Sequence, residues 1–231
     1  MPESPSGIRS AGKAPLQTRF PLLWLAVQYA IAGFFDRGRH ILKHFRGQKR
    51  VLEVGCSVGI DSIHFAGKPC EYLGIDIDPE AVRHARGRFK DRAHMSFKAC
   101  DLRLLDPARQ RFDFILLCGT IHHIPEEELR PILEHAARLL DDSGLLVVID
   151  YALHDQPGVL ERLILRLEEG AHIRDRESLL ASLSHLEGLE VQSVEVFKNA
   201  AFLLPWPVMA HKFLIVLRKG NQPSGLDQKG S

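Results

Sequence analysis

Two glycines four residues apart, Gly55 and Gly59, bracket the break Cys56-Ser57-Val58 directly after the apolar run Val51-Leu52-Glu53-Val54. Glycine at such a junction opens backbone conformations closed to other residues and lets a ligand touch main chain. Twenty-one residues beyond Gly55 a second apolar run closes on Gly74-Ile75-Asp76. An acid at that distance in a βαβ unit accepts hydrogen bonds from ribose hydroxyls, so the two loops meet one nucleoside. Further along, Cys118-Gly119-Thr120-Ile121-His122-His123-Ile124-Pro125 follows another apolar run. A neutral imidazole there can take a proton from an acceptor hydroxyl near neutral pH. Shaping a pocket or bonding the start of the next helix explains the pair equally well. Metal ligation is not expected, because adjacent residues in an extended segment point apart and no third ligand is evident.

Holding these loops side by side requires short β-type runs alternating with helical stretches, the pattern of βαβ units and a parallel sheet. Strands are expected at Arg50 to Gly55, Glu71 to Asp76, Met95 to Cys100, Phe112 to Cys118 and Leu145 to Tyr151. Helices are expected at Asp61 to Ala66, at Pro79 to Lys90 with proline in its first turn, and at Glu126 to Leu140. The last puts Leu129, Ile132, Leu133, Ala136 and Leu140 on one face, and Asp142-Ser143-Gly144 is read as the turn that ends it. A helix from about Pro21 to Phe45 precedes this core, and a helical stretch broken at Gly170 covers about Val159 to Leu186. Leu189 to Phe197 and Lys212 to Leu217 lack an intervening helix, which predicts an antiparallel hairpin. The expected fold is α/β: a doubly wound, Rossmann-like, mostly parallel seven-stranded sheet with an antiparallel last strand and helices on both faces.

The stretch from Val51 to about Tyr151 resembles the small-molecule branch of the class I S-adenosylmethionine-dependent methyltransferases, a group that includes quinone-biosynthesis enzymes. In that family the first motif reads Glu/Asp-x-Gly-x-Gly-x-Gly. Glu53, Gly55 and Gly59 fit it, while Ser57 replaces the middle glycine. The resemblance implies S-adenosyl-L-methionine as cofactor, with Gly55, Ser57 and Gly59 at its methionyl part, Asp76 on the ribose, Ile77 against adenine, and Asp101, followed by Leu102, accepting from the adenine amino group. It also places Cys118 and the His122-His123 pair where the methyl group is handed to a small acceptor. A nicotinamide-dependent oxidoreductase would show Gly-x-Gly-x-x-Gly after the first strand, and that spacing is missing. A non-catalytic S-adenosylmethionine-binding regulator is the other alternative. Nucleic-acid amino methyltransferases of this fold carry Asp/Asn-Pro-Pro-aromatic where this chain has Cys118-Gly119-Thr120-Ile121, so no nucleic-acid substrate is expected.

A chain of 231 residues, 45% hydrophobic and 26% charged, suits one large α/β domain. Residues 1–19 and 220–231 are poor in apolar side chains and read as disordered tails; residues 20–219 read as the domain, with 20–46 a helical cap. The net charge of +1 hides an asymmetry, since residues 1–50 carry nine Lys/Arg against two Asp/Glu. That basic segment beside the apolar run Phe20 to Phe35 suits a peripheral membrane contact, although a helix covering the core accounts for it more simply. Ala30-Ile31-Ala32 imitates a signal-peptidase site, but the sixteen residues between Arg19 and Asp36 fall short of the roughly 20 a membrane span needs. Cys56, Cys70, Cys100 and Cys118 show no C-x-x-C spacing, which points to a reducing, cytoplasmic compartment.

Overall fold

The computed structural model describes residues 34–153, 172–183, 186–198 and 211–220, together with Phe20, Leu23, Leu25, Ala26, Glu161 and Arg162. Helix α1 (Phe34–His44) leads into β1 (Arg50–Val54), β2 (Glu71–Asp76), α2 (Pro79–Arg88), β3 (Met95–Ala99) and β4 (Phe112–Cys118). Then follow α3 (Glu126–Leu139), β5 (Leu140–Tyr151), α4 (Arg176–Leu183), β6 (Leu189–Lys198) and β7 (His211–Lys219). The strands form one seven-stranded sheet in the order β3-β2-β1-β4-β5-β7-β6. Strands β1 to β5 pair in parallel, while β7 runs antiparallel to both β5 and β6. Starting at β1, the chain winds outward to β3 and then returns to the other side of β1 as β4. In an open α/β sheet such a reversal leaves a crevice at the carboxyl ends of the two strands, where ligands bind.

Apolar side chains cover both faces of the sheet because successive strand residues point to opposite sides. Leu52, Ile115 and Leu117 join Ile75, Leu129 and Leu133 on one side; Val51, Phe114 and Leu116 join Phe65, Tyr72 and Phe97 on the other. A parallel sheet covered on both faces explains why these strands read as unbroken apolar runs. The predicted hairpin is present as β6 and β7, with Val194 opposite Ile215.

One local expectation is sharpened and another corrected. The helix expected after the glycine turn is a 3-10 helix over Asp61–Phe65, with Ala66 as its cap. Five residues sustain little more than one turn, and Ala66 N–H bonds Ile63 O three residues back. Strand β5 begins at Leu140, so Asp142-Ser143-Gly144 is strand rather than turn. The carbonyls at the end of α3 are bonded by side chains instead of a glycine cap: Arg111 reaches Arg138 O and Leu140 O, and Lys219 also reaches Leu140 O. The predicted tails, most of the 20–46 cap before Phe34, most of the helical stretch before Arg176, and residues 199–210 lie outside the described residues. Among the described residues no helix is long and apolar enough to cross a membrane, and no cluster of three or more His, Cys, Asp or Glu is arranged to hold a metal.

Candidate active site

Beside the crevice between β1 and β4 the structure brings the glycine turn after β1 together with Asp76 at the end of β2. Leaving β1, the chain takes left-handed backbone conformations at Gly55 (φ 76), Ser57 (φ 48) and Gly59 (φ 78). Ser57 is the one non-glycine residue with positive φ among the described residues, at the position where the resembled motif carries glycine. Gly55 and Cys56 N–H both bond Ile75 O, tying the turn to β2. Ser57 N–H then donates to Asp76 Oδ2 at 2.8 Å, and Asp78 N–H donates to Oδ1 at 2.9 Å. Turn and carboxylate therefore form one unit.

A carboxylate offers about four acceptor positions, of which the Ser57 and Asp78 amides occupy two while the Ile77 amide also faces the group. Partial burial pushes the Asp76 carboxyl above its ordinary range, an effect the bonds from Asp78 and Ser57 oppose. Beside it Ile77, 62% exposed, presents bare apolar surface. A half-buried acid with remaining acceptor capacity next to an exposed aliphatic side chain fits a ribose and its base, so the residues present fit the nucleoside of S-adenosylmethionine.

Other predicted residues stand at different depths. Glu53 is buried beneath the turn, where the hydroxyls of Ser62 and Tyr72 both lie on its Oε2. Burial, reinforced by the nearby Asp61, raises its carboxyl to about 8, so it is largely protonated at neutral pH. Its place in the structure is a buttress for the turn. Asp61 itself accepts from Arg37 Nε at 3.0 Å, both side chains being buried, which pins α1 to the start of the 3-10 helix. Asp101 accepts from the backbone and guanidinium of Arg103, a pairing that holds its carboxyl low. Leu102 is packed in the core, and Cys118 ends β4 with its thiol buried. All four cysteines are free.

Across the crevice the two histidines differ sharply. His123 is exposed, whereas His122 is 3% exposed and its Nδ1 lies 2.5 Å from Asp150 Oδ1. Asp150, at the carboxyl end of β5, was not anticipated. It is 1% exposed and its Oδ2 accepts from the N–H groups of Thr120, Ile121 and His122, while Tyr151 N–H donates to Oδ1. The sequence signal for it was an acid closing the apolar run Leu145-Leu146-Val147-Val148-Ile149, since a buried charge demands partners. Arg174, also unanticipated, bonds Ile121 O and Ile124 O, each at 2.8 Å, and Glu126 Oε2 at 2.6 Å. An open cavity of about 580 Å³ adjoins it, lined by Glu126, Leu153, His172 and Ser178 among others.

Comparison with known proteins bears on the domain and its fold. Residues 52–146 match the family model of a methyltransferase domain. A probable non-canonical nonribosomal peptide synthetase of Salinispora arenicola is 31% identical over 150 residues, 62% of this chain and 2% of that protein. The nodulation protein S of Rhizobium tropici is 29% identical over 119 residues, 49% of this chain and 50% of the relative. Leaving the synthetase aside, this chain spans about half the length of the curated relatives it matches. Among solved structures, the N-methyltransferase NodS of Bradyrhizobium japonicum in complex with S-adenosyl-L-homocysteine superposes with a TM-score of 0.61 at 19% identity, covering 85% of this chain and 97% of that one. Residues 52–146 thus match a methyltransferase domain, and the seven-stranded sheet that holds the glycine turn against Asp76 shares the fold of the solved NodS structure.

Proposed function

We propose that this protein is an enzyme that transfers a methyl group from S-adenosyl-L-methionine to a small, hydrophobic acceptor. The observation that carries the reading is the joint placement of the glycine turn and Asp76, through the Ser57 amide, at the crevice between β1 and β4. The solved NodS structure, described as an N-methyltransferase with bound S-adenosyl-L-homocysteine, supports the choice of cofactor. When bound, that cofactor supplies a methyl carbon activated by its adjoining positive sulfur.

The chain's own part is to bind and orient. Gly55, Ser57 and Gly59 would hold the methionyl portion, Asp76 the ribose hydroxyls and Ile77 one face of the adenine, with Asp101 near its amino group. Orientation and exclusion of water provide roughly 7 to 11 kcal/mol in well-aligned reactions, so most of the acceleration needs no acid or base. Apolar residues of the segment 199–210, including Phe202 and Trp206, support an acceptor of low polarity. The four free thiols support a cytoplasmic location, and the basic, apolar segment 20–46 supports contact with a membrane surface.

Thermal-shift measurements with S-adenosyl-L-homocysteine and with NAD test the reading directly. Ligand at 100 times its dissociation constant stabilises the native state by about 2.7 kcal/mol. S-adenosyl-L-homocysteine should raise the melting temperature and NAD should not; stabilisation by NAD alone would transfer the site to nicotinamide chemistry.

A further inference from the structure

We propose that Arg103 is a positioning residue for the adenine end of the cofactor: it fixes the Asp101 carboxylate so that one acceptor position is left to read the purine 6-amino group. The proposal rests on the methyl-transfer reading above, with Asp101 beside the base.

The two acids at this end of the sheet stand on neighbouring strands. Strands β2 and β3 pair in parallel with Asp76 opposite Ala99, and Cys100 N–H bonds Asp76 O at 2.9 Å. Asp101 thus follows two residues past the level at which Asp76 closes β2. The two carboxylates are held in opposite ways. Burial presses the Asp76 carboxyl up, whereas the hydrogen bonds from the Arg103 side chain draw that of Asp101 down against the opposing effect of burial. Asp101 is therefore an ionised acceptor at neutral pH.

Its donors can be counted. Arg103 N–H donates to Asp101 Oδ1 at 2.8 Å, the capping bond of the short 3-10 helix Leu102–Leu104. Arg103 Nε donates to Oδ1 at 3.0 Å and Nη2 to Oδ2 at 2.7 Å. Of the roughly four acceptor positions of a carboxylate, Oδ1 has filled its two and Oδ2 keeps one. Capping needs the backbone bond alone. The two-point grip of the guanidinium adds something a cap does not require, a fixed plane for the carboxylate. The far side of the guanidinium is tied as well, with Nη1 donating to Glu128 Oε2 at 2.6 Å in the first turn of α3. Arg103 thereby bridges the end of β3 and the start of α3. With the Arg103 and Asp101 side chains 38% and 32% exposed, this pair contributes little to stability, so its removal should leave the fold intact.

One remaining acceptor position suits one donor. Adenine presents an N–H at C6, where hypoxanthine presents a carbonyl oxygen. That oxygen is repelled by an ionised Oδ2, so a carboxylate fixed in its plane separates the two bases and one free to rotate separates them less. Arg103 acts through Asp101 and need not touch the cofactor.

Titration calorimetry of the full chain with S-adenosyl-L-homocysteine and S-inosyl-L-homocysteine tests this, because the two ligands differ at that position of the base. Wild type should prefer the adenosyl ligand by roughly 10-fold to 100-fold, the range of a hydrogen bond to a charged group. Arg103→Met keeps the apolar stem and loses the fork, and should cut that preference by about fivefold or more, mainly by weakening the adenosyl ligand. Arg103→Lys keeps the charge without the two-point geometry and should fall between the two. A purely structural role would weaken both ligands alike, so an unchanged ratio in Arg103→Met overturns the proposal, as does a wild type without preference. If Arg103→Met does not fold, the ratio in Arg103→Lys decides in the same way. If neither ligand binds the wild type, the methyl-transfer reading itself falls, and the proposal with it.

Discussion

The two walls of the crevice are made of different materials. On the β1–β2 side the site is largely backbone: three left-handed residues, amides aimed at Asp76, and a neutral Glu53 holding the turn from below. On the β4–β5 side it is made of side chains reaching across loops, with Asp150 gathering four amides and a histidine and Arg174 holding two carbonyls and Glu126. A backbone-built wall suits a ligand whose shape never changes, whereas a side-chain-built wall can be altered one residue at a time. That contrast is what a cofactor common to many enzymes and an acceptor particular to one would require.

The largest expected effect falls on the side-chain wall. Arg174→Ala removes the guanidinium from Glu126 and from the carbonyls of Ile124 and Ile121, the latter keeping only the Ile124 N–H, and should cost roughly 2 to 4 kcal/mol in denaturant unfolding while hardly changing S-adenosyl-L-homocysteine affinity. An equal loss of affinity would erase the distinction between the walls. Gly59→Ala attacks the other side: φ is 78 and the new methyl carbon would lie 2.6 Å from Phe89 Cε2. Roughly 1 to 3 kcal/mol of stability should go, with weaker S-adenosyl-L-homocysteine binding, as calorimetry would show.

A comparable effect, spread over the pH scale, falls on Glu53. Because Glu53 is raised to about 8 in the folded chain from 4.5, the native state holds a proton that the unfolded chain releases between those values. Stability from this group is therefore complete below pH 4.5 and is lost as pH rises through 8, by at most about 1.4 kcal/mol per pH unit. Urea unfolding at pH 6 and pH 8.5 should show the decline in wild type and a flatter dependence in Glu53→Gln, which stays neutral at both.

The same contrast explains what could be read in the sequence. Glycine spacing and an acid at a strand end are local marks, and Gly55, Gly59 and Asp76 stand where their spacing put them because a backbone site is encoded by contiguous residues. The strands were legible for a related reason, since burial on both faces leaves long apolar runs. Asp150 was not legible as the partner of His122, because 28 residues separate them and only the pairing of β4 with β5 brings their ends together. Arg174 was hidden in the same way, 53 residues from the carbonyl it holds. The early start of β5 was missed because Arg111 and Lys219, distant in sequence, bond the end of α3 where a glycine turn was expected.

Titration calorimetry of S-adenosyl-L-homocysteine against wild type and Asp76→Ala probes the grip on the nucleoside most directly. Loss of two hydrogen bonds to a charged acceptor should weaken binding by about 100-fold or more in a variant that still folds. Unchanged affinity in that folded variant would contradict the placement of the cofactor against Asp76.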